Sequence, residues 1–218
     1  WILIEQDRIS ACGYGAPPQP ADATVESLDG AIVLPGFIDL HCHGGGGGSY
    51  LSGSTEEARQ AALTHRRHGT TTSLGSLASA SHSDLLRQIE ALLPLVDDGT
   101  LAGIHLEGPW LAPDYCGAHD PTVLRGVIDE ELTDLLASGQ IAMVTLAPEV
   151  DGALAAIPKI VAAGLVVAIG HTGADAAVIK QAIDAGAFLM RQGDPADALF
   201  FIESGQVRRP LSRDDRTA

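Results

Sequence analysis

The chain has 218 residues, 45 % of them apolar, and carries 28 Asp+Glu against 13 Lys+Arg for a formal net charge of −15. That composition supplies one large or two small domains with an ample core and excludes a disordered or fibrous chain. The negative charge repels phosphate backbones and anionic head groups, and no basic run exceeds Arg66-Arg67 or Arg208-Arg209, so nucleic acid and membrane surfaces are disfavoured as partners. Cys12, Cys42 and Cys116 are odd in number, far apart and without a Cys-x-x-Cys, which fits a reducing, cytoplasmic setting better than a disulfide framework. No run approaches the roughly 18 apolar residues of a spanning helix, and Trp1-Ile2-Leu3-Ile4-Glu5 lacks the basic region of a signal peptide.

In chain order, a short strand (Trp1 to Ile4) precedes a Gly/Pro/Ala-rich stretch, and Ala31 to Leu34 with Phe37 to Leu40 read as one buried strand region. A polyglycine turn (Gly44 to Gly48) leads to a helix from about Thr55 to His68, opened by the capping pattern Ser54-Thr55-Glu56-Glu57. Four more strand and helix pairs follow: Thr70 to Leu74 with Ser83 to Leu95, Leu101 to Leu106 with Asp129 to Ala137, Ile141 to Leu146 with Ala153 to Ala163, and Leu165 to Ile169 with Ala174 to Ala185. Continuous apolar strands alternating with 3.6-period helices are the pattern of a parallel sheet buried on both faces.

Five such units indicate an α/β fold, either a doubly wound open sheet or a (β/α)8 TIM-like barrel. The barrel is favoured because His41, His43, Glu107, Glu149 and His171 all fall at the carboxyl ends of different strands, where barrels place their chemistry. An open sheet concentrates its ligand groups at one switch point, and the glycine run lacks the Gly-Lys-Ser/Thr of a P-loop. Three further units need roughly 90 residues at the usual barrel size, whereas only 31 follow Ala187. The expectation is therefore a partial barrel with an open strand edge at Leu165 to Ile169.

In His41-Cys42-His43 the strand alternation turns both imidazoles to one side and Cys42 to the other, so the pair can share a metal. Glu107 closes the third strand before a Gly108-Pro109 turn, and His171 ends the fifth. Each alone has an ordinary structural explanation; their convergence from three strands is what points to a metal site.

Leu34-Pro35-Gly36-Phe37-Ile38-Asp39-Leu40-His41-Cys42-His43-Gly44 resembles the metal-binding opening of the amidohydrolase superfamily. Gly103 to Leu111, Gly117-Ala118-His119-Asp120-Pro121, Leu146-Ala147-Pro148-Glu149 and Ile169-Gly170-His171-Thr172 are similar to the motifs of its N-acetylglucosamine-6-phosphate deacetylases, collinearly over about residues 1 to 187. The resemblance implies a β-sandwich fragment over 1–33, the first five β/α units of the barrel over 34–187, and a divergent tail over 188–218. It implies hydrolysis of the acetamide of an amino-sugar phosphate with one or two divalent ions, zinc by ligand chemistry. Glu107 and His171 are then metal ligands, His41 and His43 the pair admitting a second ion, and Ala118 and His119 the substrate contacts. A homodimer is implied for the complete family fold. Glu149 is equally explained as a solvated strand-end carboxylate.

The family's further histidine ligand, expected soon after a Gly-Ala dipeptide, is absent: Gly186-Ala187 is followed by Phe188-Leu189-Met190-Arg191-Gln192. The family's acid/base aspartate and phosphate-holding groups belong to the part with no counterpart here, so no catalytic acid/base is assigned and weak or no activity is expected of this chain alone. Met190 to Val207, with its Gly193-Asp194-Pro195 and Ser204-Gly205 turns, resembles the early hairpin of cyclic-nucleotide-binding domains, and the change of pattern reads as a fusion, frameshift or other join near Ala187. The competing readings are another amide hydrolase of the same superfamily and a non-enzymatic fusion fragment.

Overall fold

The computed structural model describes residues 1–18, 20, 22–189, 201–203 and 206–208, and the chain divides into two compact units, Trp1–Pro35 and Gly36–Ala218. In the first unit, β1 (Ile2–Glu5) and β2 (Arg8–Cys12) pair antiparallel. The Trp1 ammonium donates to the Gly13 carbonyl at 2.8 Å, and the Gly13 N–H returns a bond to the Trp1 carbonyl at 3.1 Å. The buried strand expected at Ala31 to Leu34 is not found: Ile32 is 85 % and Leu34 65 % exposed, outside any strand. Apolar side chains alone do not make a strand. Among the described residues no backbone pairs with this segment, so its β-propensity has nothing to act on.

The second unit opens with β3 (Phe37–Asp39), followed by the glycine hairpin of β4 (Gly44–Gly45) and β5 (Gly48–Ser49). Gly46 and Gly47 both take positive φ, 58° and 86°, as a two-residue hairpin turn requires. At Gly48 a Cβ would stand 2.2 Å from the Glu57 carbonyl oxygen, so the glycine run exists here to let the backbone lie against α1 (Thr55–Arg67). There follow β6 (Thr70–Leu77), α2 (His82–Asp97), β7 (Gly103–Glu107), α3 (Asp129–Ala137), β8 (Ile141–Leu146), α4 (Ala153–Ala162), β9 (Val166–Ile169), α5 (Ala176–Asp184) and β10 (Phe188–Leu189). The helix starts follow their caps: Ser54 accepts from Glu57 N–H, Ser81 from Asp84 N–H, and Asp175 from Ala177 and Val178 N–H. The Asp175 cap is why α5 begins two residues later than its apolar pattern suggests.

These strands form one parallel six-stranded sheet ordered β10-β9-β8-β7-β6-β3, the sequential order of a half-barrel. The edge expected to be open at Leu165 to Ile169 is instead occupied, since Phe188 pairs with Ala168 and Leu189 with Ile169. At the other edge β3 pairs only with β6 among the described residues, and Phe37 and Ile38 are 59 % and 68 % exposed rather than buried. A strand with one neighbour buries its backbone on one side only, whatever its side chains are.

The two sheet faces differ. Ile104, Leu106, Val144, Leu146, Val167 and Ile169 pack with the helices in the main apolar core. Their alternates face the other way: Leu74, Met143 and Ala168 form a small apolar layer, followed towards the strand ends by the buried polar residues Ser76, His105 and Thr145, and then Glu107. The uniform apolar strands expected from the sequence therefore hold for the helix-facing side only. Beyond β10, β11 (Phe201–Glu203) and β12 (Gln206–Arg208) pair antiparallel as a hairpin. Its Ser204-Gly205 turn and the Gly193-Asp194-Pro195 turn lie outside the described residues.

Candidate metal centre

His41 and His43 follow β3, and their Nε2 atoms stand 3.1 Å apart, while Cys42 turns to the apolar core. Glu107 ends β7 and is only 5 % exposed. Its Oε2 lies 3.1 Å from His41 Nε2, 3.0 Å from His43 Nε2 and 3.2 Å from His119 Nε2; its Oε1 lies 2.8 Å from His171 Nε2. Four imidazoles thus meet at one carboxylate. Ala118 is exposed beside His119. Glu149 stays apart and accepts from Thr172 Oγ1 at 2.5 Å and from the Gly173 N–H at 2.6 Å, which ties the loop after β8 to the loop after β9.

For His43, His171 and His119 the second ring nitrogen fixes the proton. His43 Nδ1 faces the Ser76 carbonyl at 3.0 Å and His171 Nδ1 faces the Tyr115 carbonyl at 2.8 Å. A carbonyl only accepts, so both Nδ1 atoms carry the proton and, in the neutral rings, both Nε2 lone pairs point at Glu107. Lone pairs facing a carboxylate at such distances repel unless a proton or a cation lies between them. His119 is the reverse case: its Nδ1 accepts the Ser79 N–H at 3.2 Å, so its Nε2 carries the proton and donates. The donor set therefore fits divalent ions at Glu107, one beside His171 and a second beside His43, with His119 as a hydrogen-bond donor at the same centre.

Burial disfavours charge on Glu107, yet the imidazoles of His119, His41 and His43 around it together outweigh it and hold the carboxyl well below the usual carboxylate range. Hydrogen bonding to Glu107, against the opposing effect of burial, raises His41. His171 takes φ 52°, the left-handed region, and is held there by Ala112 N–H bonding to its carbonyl at 3.0 Å and by the Tyr115 contact.

Sequence reasoning gave no role to His105, Ser76, Ser79 or Tyr115. His105 is fully buried, bridges Ser76 Oγ at 2.9 Å and Thr145 Oγ1 at 2.8 Å, and burial pushes its imidazole down to about 3, so it serves as a neutral strut beneath the site. Its spacing two residues before Glu107 on one strand was the available signal. Ser79 and Tyr115 act through backbone atoms, for which residue type carries no signal.

The family model described as "Amidohydrolase family" matches residues 32–198. The N-acetylgalactosamine-6-phosphate deacetylase of Escherichia coli O157:H7 is 31 % identical over 193 residues, covering 86 % of this chain and 51 % of that protein. The N-acetylglucosamine-6-phosphate deacetylase of Bacillus subtilis (strain 168) is 29 % identical over 197 residues, covering 86 % of this chain and 50 % of that protein. Among solved structures, the N-acetyl-D-glucosamine-6-phosphate deacetylase of Mycobacterium smegmatis, a point mutant in complex with N-acetyl-D-glucosamine-6-phosphate, matches with TM-score 0.80 and 48 % identity, covering 86 % of this chain and 49 % of that one. The chain thus spans about half the length of these relatives. A family match over most of the sequence, a half-barrel of matching architecture and imidazoles gathered on a strand-end carboxylate lead to one conclusion: this chain belongs to the amidohydrolase family.

Proposed function

We propose that this chain carries the metal-binding part of an amino-sugar 6-phosphate deacetylase, which hydrolyses N-acetylglucosamine 6-phosphate to glucosamine 6-phosphate and acetate. The observation behind it is the division of labour at Glu107: His43 and His171 present bare Nε2 atoms, whereas His119 presents an N–H. Glu107 and His171 would hold the principal ion, and His41 and His43 with Glu107 Oε2 a second; imidazole and carboxylate donors suit zinc. When bound, the ion supplies Lewis-acid polarisation and makes water acidic enough to ionise near neutrality.

The remaining steps belong to the chain's own groups. Ser79 N–H fixes the His119 tautomer, so that the His119 Nε2–H can donate to the acetamide carbonyl oxygen and steady the charge that develops there. Ala118 offers no bulky side chain beside it. The buried His105, bonded at both nitrogens, keeps its proton state and does not compete for the substrate. A cytoplasmic setting belongs to this reading, supported by three cysteines free of disulfides, and so does a homodimer of the complete fold, supported by the resemblance alone.

The test has two arms. Metal analysis of the parent and Glu107→Gln should show affinity falling more than about tenfold in the variant, since even outer partners of a ligand are worth 10- to 100-fold. A chimera that continues after Ala187 with the last three β/α units and C-terminal sandwich strands of a related deacetylase should release acetate, and His119→Ala should slow it by about 10²- to 10⁴-fold. N-acetylgalactosamine 6-phosphate, the sugar in the name of the Escherichia coli relative, is assayed beside it. Unchanged metal affinity in Glu107→Gln, or a chimera that folds and binds metal but cleaves neither sugar, would overturn the reading.

A further inference from the structure

We propose that Asp39, Cys42 and His65, together with the Gly44 carbonyl, form a separate site for a thiophilic divalent cation such as Zn²⁺ or Cd²⁺, on the helix-facing side of the segment that bears His41 and His43. Cys42 Sγ lies 3.1 Å from His65 Nε2 and 3.2 Å from the Gly44 oxygen, and His65 Nε2 lies 3.0 Å from that same oxygen. The ligand atoms of Asp39, Cys42 and His65 all fall within 4.8 Å of one another, and all three residues are half-buried. Thiolate, imidazole, carbonyl and carboxylate make the mixed set of soft and hard donors that zinc takes in four-coordinate sites. A tetrahedral ion with bonds of about 2.0–2.3 Å separates its ligands by roughly 3.3–3.7 Å, so the triangle needs to open by only a few tenths of an ångström.

Proton counting singles this cluster out. Sulfur, nitrogen and oxygen form a triangle with three short edges, yet it holds at most two protons, one on Cys42 and one on His65 Nε2. One edge is left without a hydrogen bond of its own, and a cation at the centre would satisfy all three atoms. The Asp39 carboxylate accepts the His41 N–H at 3.1 Å through Oδ1, which leaves its second oxygen for the ion. Nearby, the Tyr50 hydroxyl is buried without a hydrogen-bond partner among the described residues.

Binding is a ligand exchange. The Cys42 thiol gives its proton to solvent as the S–metal bond forms, and no oxidant or reductant is involved. The consequence is mechanical: the ion would tether the segment after β3 to α1 through His65, and so fix the backbone from which His41 and His43 reach Glu107. The site stands independently of whether the Glu107 centre cleaves a sugar.

A Cys12→Ser/Cys116→Ser protein, in which Cys42 is the sole thiol, is titrated with Cd²⁺ or Co²⁺. One equivalent should produce the near-ultraviolet band of sulfur-to-metal charge transfer, which the all-nitrogen-and-oxygen centre at Glu107 cannot give. Cys42→Ser in this background should abolish the band, His65→Gln should weaken binding by about tenfold or more, and Glu107→Gln should leave it unchanged. Alkylation of Cys42 in the otherwise native chain, slowed at least tenfold by Cd²⁺, gives a readout that needs no substitution in the cluster. Metal uptake with no thiolate band and no protection of Cys42 would overturn the proposal, and a band lost in Glu107→Gln would reassign the thiolate to the main centre.

Discussion

Tyr50→Phe is expected to stabilise the metal-free protein, and increasingly so at alkaline pH. The Tyr50 N–H anchors the glycine hairpin by donating to the His43 carbonyl at 3.0 Å, while its ring is 1 % exposed and its hydroxyl has no hydrogen-bond partner among the described residues. An unpaired buried hydroxyl costs about 1–3 kcal/mol, so its removal should gain on the order of 1 kcal/mol at pH 8. Burial, with smaller contributions from Cys42 and Asp39, pushes the phenol well above its ordinary value of 10.0. Above pH 10 the unfolded chain releases this proton and the folded chain retains it. Stability is thus fully present below pH 10 and falls by about 1.4 kcal/mol per pH unit above it, until the folded chain also releases the proton. Phenylalanine has no proton to lose, so the advantage of the variant should widen by about 1.4 kcal/mol at pH 11. Urea unfolding of both proteins in chelator at pH 8 and pH 11 measures it. Phenolate absorbance adds a second check: the Tyr50 phenol should ionise only on unfolding. Parallel pH profiles, or Tyr50 ionising in the folded protein near pH 10, would refute the reasoning.

Ser76→Ala should cost about 1–3 kcal/mol in urea unfolding, because it strips the Cys42 N–H and His105 Nδ1 of their shared partner in a buried layer; a neutral change would mean that the layer is not closed to water. Gly48→Ala should cost about 1–3 kcal/mol and also lower metal affinity, since its methyl group meets the α1 backbone and must displace the hairpin that follows His43. Replacing Phe37 and Ile38 together by Lys should shift sedimentation towards the monomer by removing the apolar side chains of the exposed edge strand, and equal association in both proteins would locate the contact elsewhere.

Much of the site was legible from local pattern. A period of two puts His41 and His43 on one side of the chain and Cys42 on the other, and puts His105 and Glu107 together beneath Ile104 and Leu106. The cap at Ser54 and the turn in the glycine run Gly44 to Gly48 are likewise properties of a few adjacent residues. The exposure of Phe37 and Ile38 was not legible, because burial depends on a second neighbouring strand and not on the side chain itself. Nor was the proton on each imidazole. The Ser76 and Tyr115 carbonyls free Nε2 of His43 and His171, and the Ser79 N–H keeps the proton on Nε2 of His119. Those partners are backbone atoms remote in sequence, identical in every residue type, and only the folding of β6 and the loops against the strand ends brings them to the rings that they orient.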